Sequence, residues 1–269
     1  MIWLLLAAIG LAVGAFSTLI GAGGGFLLVP ILLFLYPQES PSTITSITLT
    51  VAFLNALSGS AAYSRLKRID YRSGLLFSIA SAPGAVIGAT INTMLSRNVF
   101  QVVFGTCLII VATYLVIRPE RLKTGPVISA GRTARNITDS NGNAFSYSFS
   151  LPIGMAIAFV VGLISGLLGI GGGIMEVPAL TQFLAFPAHI ATATSQFLVT
   201  MTSFAAVIAH VISGHFTEGF RRATVLSVGA IIGAQFGARL SHDVSGALIV
   251  RLLAGALALV AVRLLIAAF

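Results

Sequence analysis

Two short stretches of the sequence repeat each other: GAGGGFLLVP at residues 21–30 and GIGGGIMEVP at residues 169–178. Each places four glycines in five positions inside a long apolar run and ends in a proline. Glycine tolerates backbone conformations that other residues avoid, so such a cluster interrupts a helix and lets the backbone approach another group closely. Paired interruptions at matching positions of two halves are the sequence pattern that marks a binding site in membrane carriers.

The composition is typical of a chain that lies in a lipid bilayer. Of its 269 residues, 57% are hydrophobic and only 8% are charged, whereas about a quarter of a soluble protein is charged. The single cysteine, Cys107, excludes an internal disulfide bond. The first apolar run has no positive charge ahead of it, so we expect it to be retained structure and not a cleaved signal peptide.

Ten apolar runs divide the chain. Eight have close to the roughly 20 residues that a helix needs to cross a bilayer. The runs 26–36 and 174–186, directly after the glycine clusters, have only 11 and 13 residues and reach across about half of a bilayer. We therefore predict half-helices that the glycines join to the preceding span. The eight longer runs are approximately 2–20, 43–63, 73–92, 98–117, 151–168, 190–213, 223–241 and 247–268.

The similarity between the halves extends beyond the glycine clusters. Thr45-Ser46 corresponds to Thr194-Ser195, and the pair Gly84/Gly88 corresponds to Gly233/Gly237, at offsets of 148 or 149 positions throughout. For these isolated glycine pairs we expect close helix packing. The fold class predicted is an all-α membrane protein of two homologous four-span repeats, in which a glycine-rich loop breaks the first span of each. The predicted repeats are 1–117 and 149–269, joined by a basic, polar linker at 118–148.

The distribution of basic residues predicts an orientation. Basic residues flank the second and third spans, fill the central connection and occur again at Arg221 and Arg222, while the intervening loops have almost none. The positive-inside rule places these basic loops in the cytoplasm. With four crossings per half, both termini are then cytoplasmic and the repeats are parallel. The alternative treats each half-helix as a full crossing, which gives five spans per half and inverted repeats.

The glycine clusters are the predicted substrate site. The half-helices begin there, and a helix N-terminus offers unpaired N–H groups and a positive dipole end to an anion. Serines and threonines follow the second span of each half, and Asn55 and Gln196 add amide donors. The predicted substrate-binding residues are Gly23, Gly24, Gly25, Gly171, Gly172, Gly173, Ser46, Thr50, Asn55, Ser195, Gln196, Thr200 and Arg239.

Few ionisable residues fall inside the predicted spans. Glu176 follows the second glycine cluster, and its repeat partner is Leu28, so the fold itself does not require a carboxylate there. A charge at the centre of a bilayer costs about 3 kcal/mol or more, which favours a functional role. Glu176 is therefore a proton-coupling candidate, and His210 is a second one. The sequence has no cluster with metal-ligand spacing, and we expect neither a metal nor another cofactor.

Two halves of four spans, each opening with Gly-x-Gly-Gly-Gly-x-x-x-x-Pro and followed by a Thr/Ser-rich span, resemble the TauE/SafE, or sulfite exporter, family. The resemblance covers essentially the whole chain. It implies a bacterial inner-membrane carrier of small anions such as sulfite, sulfoacetate or related sulfonates. The family motif corresponds to Gly21, Gly23, Gly24, Gly25 and Pro30, and to Gly169, Gly171, Gly172, Gly173 and Pro178.

The sequence thus predicts a multi-pass secondary transporter, not an enzyme, that works by alternating access. An anion channel with the same walls and a membrane scaffold without transport are the alternatives. The expected partners are a small anionic substrate and the lipid bilayer, with a homodimer as an alternative to a single copy. The net charge of +8 does not indicate nucleic-acid binding, since the basic residues lie at span ends.

Overall fold

A computed structural model describes residues 2–117, 132–212, 219–241, 244–245, 248–249, 251–253 and 255–256. Helices dominate. In the first repeat they are α1 (Ile2–Ile20), α2 (Gly25–Leu35), α3 (Pro41–Arg65), α4 (Tyr71–Asn92) and α5 (Arg97–Ile117). In the second repeat they are α6 (Leu151–Leu168), α7 (Gly173–Pro178), which continues as a π-helical turn over Ala179–Phe183, α8 (Ala188–Ile212) and α9 (Phe220–Leu240).

Each repeat opens with a helical hairpin, not with a broken span that continues across the bilayer. Helices α1 and α9 run side by side in the same direction, with Gly10 against Leu226 and Gly14 against Ala230, so both helices begin at the same face. Directly after α2, Glu39 forms an ion pair with Arg222 in the first turn of α9, at 2.6 Å. Both ends of the α1–α2 unit therefore lie beside the start of α9, so α2 returns to the face from which α1 began.

The two repeats run in opposite directions. Their equivalent helices α3 and α8 cross at the centre of the molecule, where the hydroxyls of Ser60 and Thr200 are 3.3 Å apart. Nearby, the rings of Phe53 and Phe204 have centroids 5.3 Å apart. From the first contact to the second the residue number falls in α3, from 60 to 53, and rises in α8, from 200 to 204. The two helices are therefore antiparallel. Equivalent helices that are antiparallel define inverted repeats, related by an axis in the membrane plane.

The repeats also interlock through backbone contacts that glycine permits. Helix α1 packs along α9, with Gly14 against Ala230, and the equivalent helices α6 and α4 pack with Gly162 against Ser81. A side chain at these glycines would collide with the facing backbone, as expected for small residues between membrane helices. The isolated pairs singled out in the sequence are such packing contacts: Gly84 and Gly88 face α6, and Gly233 and Gly237 face α1.

The prediction of parallel repeats is wrong. Gly219, just before α9, packs against Ile47 near the start of α3, whereas Arg68 follows the end of α3. Ile47 is 18 residues from Arg65, the last residue of α3, which is about 27 Å along the helix, so the loops of Arg68 and Arg221 lie at opposite faces. The start of α1 shares the face of Arg221, so the N-terminus does not lie on the side of the central connection.

The parallel arrangement was predicted wrongly because the half-helix turns back instead of continuing across the bilayer. This changes the number of crossings in each half. The orientation predicted from the basic residues was also wrong at Arg222, because the prediction counted this residue as an unpaired charge in a loop. Its guanidinium pairs with Glu39 and stacks 3.9 Å from the ring centroid of Tyr36.

Part of the predicted linker forms a β-hairpin, which the all-α prediction did not include. Strands β1 (Thr133–Thr138) and β2 (Ala144–Phe149) pair antiparallel. The hairpin docks on the loop between α3 and α4 through a buried ion pair of Arg68 with Asp139, at 3.3 Å. Tyr147 donates a hydrogen bond to Asp70 at 2.8 Å. We call this side of the molecule the hairpin face.

Six described helices are long and apolar enough to cross a membrane, namely α1, α3, α4, α6, α8 and α9. Two further described helices are apolar but shorter than a membrane span, namely α2 (Gly25–Leu35) and the stretch Arg97–Val111 of α5. Most of the predicted run 247–268 and residues 118–131 of the predicted linker lie outside the described residues. The number of eight spans therefore stays a prediction.

Candidate functional site

The two glycine clusters form loops that break the helices, as predicted. Loop 1 is residues 21–24 and loop 2 is residues 169–172. In each loop three glycines adopt positive φ angles between 70° and 93°, a region that side chains disfavour. These residues are Gly21, Gly23 and Gly24 in loop 1 and Gly169, Gly171 and Gly172 in loop 2.

The two loops touch each other at the centre of the molecule. A methyl group on Gly25 would stand 2.7 Å from the carbonyl oxygen of Gly169. In the other repeat, a methyl group on Gly173 would stand 2.6 Å from the carbonyl oxygen of Gly21. We call this reciprocal contact the loop seam. Irregular backbone is tolerated at membrane depth only where protein buries it or a cavity adjoins it, and here the loops bury one another.

Both half-helices point their N-termini at the loop seam. Helix α2 begins at Gly25 and α7 begins at Gly173, and neither has a side-chain cap on its N-terminal N–H groups. The first N–H groups of a helix have no partner within the helix and carry the positive end of its dipole. The repeats thus bring two such ends together from opposite directions.

Side chains of α3 and α8 hold the loops in place. Thr48 of α3 donates a hydrogen bond to the carbonyl of Gly169 at 2.8 Å, and Ser195 of α8 donates to the carbonyl of Gly21 at 2.8 Å. Each contact crosses from one repeat to the other. Hydroxyls of the Thr/Ser-rich spans therefore hold the loops by donating hydrogen bonds to loop backbone carbonyls.

The broken ends of α1 and α6 are capped in a similar way. The Tyr63 hydroxyl donates to the carbonyl of Thr18 at 2.9 Å. The Asn92 amide donates to the carbonyl of Leu167 at 2.8 Å. Such bonds add side-chain donors to carbonyls in the last turn of an interrupted helix, which makes the break part of the folded structure.

Several buried polar groups around the loops have no hydrogen-bond partner among the described residues. They include the hydroxyls of Ser165, Thr192 and Ser203, Oε1 of Gln196 and Oε1 of Glu176. All five residues are at most 4% exposed. Buried polar groups are nearly always paired, and an unpaired one costs about 1–3 kcal/mol. The centre therefore holds hydroxyl donors that a ligand oxygen would satisfy.

Glu176 lies between this centre and a small cavity. Its Oε2 accepts a hydrogen bond from Ser195 at 3.2 Å, and a methyl group on Gly172 would meet its Oε1 at 2.8 Å. The cavity, of about 20 Å³, has room for about one water molecule. Its other walls are apolar and include Phe77, Val161 and Leu198.

Three of the predicted substrate-binding hydroxyls bond to their own helix. Ser46 donates to Thr43, Thr50 donates to Ser46, and Thr200 donates to Gln196, each at a backbone carbonyl 2.8 Å away. Such bonds leave these side chains less available to a ligand than the hydroxyls of Ser165 and Ser203.

The amides of Asn55 and Gln196 also bind protein. With the Asn55 amide assigned from its neighbours, its nitrogen faces the carbonyls of Gly14 and Ala230 at 3.3 and 3.1 Å. Its oxygen accepts from the hydroxyls of Ser17 and Thr18, each at 3.2 Å. Gln196 donates to the carbonyl of Ser17 at 3.3 Å. Asn55 therefore ties α3 to α1 and α9.

The structure does not bring Arg239 or His210 to the loops. Arg239 is exposed in the last turn of α9, at the hairpin face. His210 is buried in the last turn of α8, at the opposite face. The predicted glycines, Asn55, Ser195, Gln196 and Glu176 do lie together around the loop seam. No group of three His, Cys, Asp or Glu residues that could hold a metal occurs in the described part of the chain.

Sequence reasoning missed Ser165, Ser203, Thr48 and Thr192 as site residues. Ser165 had a usable signal, because it matches Ser17 one turn before the glycine cluster in the other half. Without coordinates, a serine or threonine in a span is indistinguishable from one that binds its own helix.

Comparison with known proteins identifies the family of the chain. A family model described as sulfite exporter TauE/SafE matches residues 6–264. The protein is 35% identical to the probable membrane transporter protein YunE of Bacillus subtilis over 98% of both chains. It is 24% identical to the probable membrane transporter protein MJ0441 of Methanocaldococcus jannaschii, over 90% of this chain and 87% of the relative. No solved structure matches the chain. The protein therefore belongs to the sulfite exporter TauE/SafE family of membrane transporters.

Proposed function

We propose that this protein is a secondary transporter that moves small sulfur-containing or organic anions, of the sulfite or sulfonate type, across a bacterial inner membrane. The observation that supports this most is the loop seam. Two uncapped helix N-termini meet there beside the unpaired hydroxyls of Ser165 and Ser203. Positive dipole ends and O–H donors match the several oxygens of a sulfite or sulfonate group.

Alternating access follows from the inverted repeats. In such proteins one repeat or bundle moves against the other around a fixed site. The two halves differ in this structure at one matched position, because Gly154 of the second repeat forms part of the wall of the small cavity beside α7. The matching residue of the first repeat, Leu6, is fully buried.

The basic residues of the hairpin face support a cytoplasmic position for that face. Arg65, Lys67 and Arg72 lie there and are exposed, whereas Arg222 at the opposite face is paired with Glu39. Under the positive-inside rule, α1 then begins on the outer side of the membrane.

Glu176 carries the coupling proton in this proposal. An ionised carboxylate beside an anionic substrate would repel it, so substrate binding favours protonated Glu176. The apolar cavity beside the residue offers no countercharge. Movement of one proton with the anion would also lower the charge transferred in each cycle.

The test is uptake into proteoliposomes that contain the purified protein. Radiolabelled sulfite, sulfoacetate, thiosulfate and acetate are compared, with and without a pH gradient, and protein-free liposomes serve as the control. We expect saturable uptake of at least one sulfur oxyanion that a pH gradient accelerates in the wild type but not in Glu176→Gln. Folded protein that moves none of the four anions would contradict the proposal.

A further inference from the structure

The Ser195 hydroxyl lies between two acceptors that belong to different repeats. Its Oγ is 2.8 Å from the Gly21 carbonyl oxygen in loop 1 and 3.2 Å from Oε2 of Glu176 in α7. Ser195 is fully buried and Glu176 is 4% exposed. A serine hydroxyl has one hydrogen, so it fully satisfies only one of the two acceptors at a time.

We propose that this hydroxyl is a switch that transmits the protonation state of Glu176 to the loop seam. The proposal rests on the proposed function, because it specifies how the coupling proton acts on the substrate site. Protonated Glu176 donates its O–H to Ser195 Oγ, and Ser195 donates to the Gly21 carbonyl. The two bonds then form one chain in which each strengthens the other.

Loss of the proton from Glu176 reverses this chain. The carboxylate now attracts the hydrogen of Ser195, because a charged acceptor forms the stronger hydrogen bond. The Gly21 carbonyl loses its donor from α8. The proton released by Glu176 leaves to water or to the substrate, and no other bond changes. The shorter distance from Ser195 to Gly21 than to Glu176 matches the protonated arrangement.

The Gly21 carbonyl is well placed to pass the change on. It faces Gly173, the first residue of the helix that carries Glu176, so close that a methyl group there would stand 2.6 Å away. Gly21 also packs against Thr192, one turn before Ser195 on α8. A carbonyl released from α8 therefore loosens the seam between the two loops.

Asp70 is a second buried carboxylate near this switch: its backbone N–H donates to the hydroxyl of Thr194, next to Ser195, and its side chain is held by Arg135 and Tyr147 of the β-hairpin. Glu176 is the only ionisable residue that lines the cavity, and α6 contains no charged residue. On α8, His189 and His210 are about 9 Å and 22 Å along the helix axis from Ser195. On α4, Arg72 is exposed in the first turn. We therefore assign the proton response of the loop seam to Glu176.

The first repeat has no equivalent switch. Leu28, which carries no titratable group, occupies the position that matches Glu176. The proton thus acts on one of the two loops, and this asymmetry gives the coupling a direction.

The test measures hydrogen–deuterium exchange of the loop 1 amides in purified protein between pH 5.5 and 8.5, corrected for the intrinsic pH dependence of exchange. It needs no substrate, so it can fail independently of the transport assay. In the wild type we expect exchange to rise with pH, by at most about tenfold per pH unit, the limit for one coupled proton. Ser195→Thr, which keeps the hydroxyl, should retain this dependence.

The two switch variants should differ in a way that loss of packing alone would not produce. Glu176→Gln keeps a donor toward Ser195, so loop 1 should exchange slowly at every pH. Ser195→Ala removes the donor to Gly21, so loop 1 should exchange fast at every pH. Ser78→Ala, which removes a buried hydroxyl that binds only the Gly74 carbonyl of its own helix, should behave like the wild type. A wild-type pH response that persists in Ser195→Ala would overturn the proposal.

Discussion

Gly25 lies directly against the carbonyl of Gly169, and this contact joins the two repeats at the point where both of their helices are broken. The inverted symmetry repeats the contact between Gly173 and Gly21. Gly25 and Gly173 are helical and have no positive φ angle. Glycine is therefore required at these positions by the closeness of the neighbouring backbone and not by the local backbone conformation. The glycine motif thus supplies two different properties, a sharp chain reversal and a close approach.

We expect Gly25→Ala and Gly173→Ala to weaken the loop seam without straining the backbone. The added methyl group forces the facing loop to move, and overpacking of this kind costs about 1–3 kcal/mol. Thermal unfolding in detergent should show a lower Tm for both variants. Gly255→Ala is the control, because its methyl group would meet no described residue within 4 Å. Equal Tm values for all three variants would show that the loops are not in contact.

We expect Ser165→Ala to weaken substrate binding. The Ser165 hydroxyl is buried and has no partner in the described part of the protein, so its removal is nearly neutral for folding. A hydrogen bond to a charged group is worth about 1.5–3 kcal/mol, so KM for the transported anion should rise about tenfold or more. Ser81→Ala removes a hydroxyl that binds the Ser78 carbonyl and should leave KM unchanged. A wild-type KM in Ser165→Ala would remove this residue from the site.

Opposite faces for the loops of Arg68 and Arg221 lead to a labelling prediction. In a Cys107→Ser background, Arg65→Cys and Arg221→Cys each place one thiol at an exposed position. An impermeant thiol reagent applied to intact cells should label Arg221→Cys and not Arg65→Cys. Labelling of both in broken cells is the control for reactivity. Identical behaviour of the two variants in intact cells would contradict inverted repeats.

The ion pair that docks the β-hairpin should matter far more than the pair at the opposite face. The side chains of Arg68 and Asp139 are 5% and 0% exposed, and breaking a buried pair costs about 3–5 kcal/mol. Asp139→Asn should therefore lower Tm strongly at pH 7. Glu39→Gln breaks a pair whose side chains are 26% and 24% exposed and should cost about 1 kcal/mol or less. Equal losses would contradict the docking role.

The ion pair of Arg68 with Asp139 also predicts that the stability of the folded protein depends on pH in the acid range. Burial opposes ionisation of Asp139, but hydrogen bonds from Asn143, Asn141 and Arg68 outweigh it and lower the pKa of this carboxyl. A lowered pKa in the folded state stabilises the protein fully above the ordinary Asp pKa of about 3.9 and less as the pH falls below it. Wild-type Tm should fall below this pH, and Asp139→Asn should lack that part of the fall.

The sequence predicted where the helices break but not where the half-helices go. The length of each apolar run and its glycines required an interruption, and the structure has one at both sites. Length alone does not specify direction, which follows from the positive φ angles of Gly23 and Gly24. The positive-inside rule then gave the wrong face for Arg222, because this residue is paired in the folded protein. Its partners Glu39 and Tyr36 are 183 and 186 positions away in the chain, so the sequence does not reveal them.

The sequence predicted only some residues of the candidate site, because the role of a polar side chain depends on its neighbours in the folded protein. Glu176 stood out because a carboxylate is rare in an apolar span, and the structure places it beside the loop seam. The role of a single serine depends on which carbonyl lies within reach. The Ser78 hydroxyl donates to a carbonyl of its own helix, and the Ser195 hydroxyl donates to a carbonyl of the other repeat. That difference of neighbours is a property of the packed structure and has no local signature in the sequence.

Trans-stimulated exchange is the measurement that tests the central claim most directly. Proteoliposomes loaded with an excess of the transported anion are diluted into a trace of the same radiolabelled anion. A carrier that alternates access around the loop seam should accumulate label transiently and faster than unloaded liposomes, and the rate should saturate with concentration. Uptake of label that neither saturates nor responds to internal anion would indicate an open anion channel and would contradict alternating access.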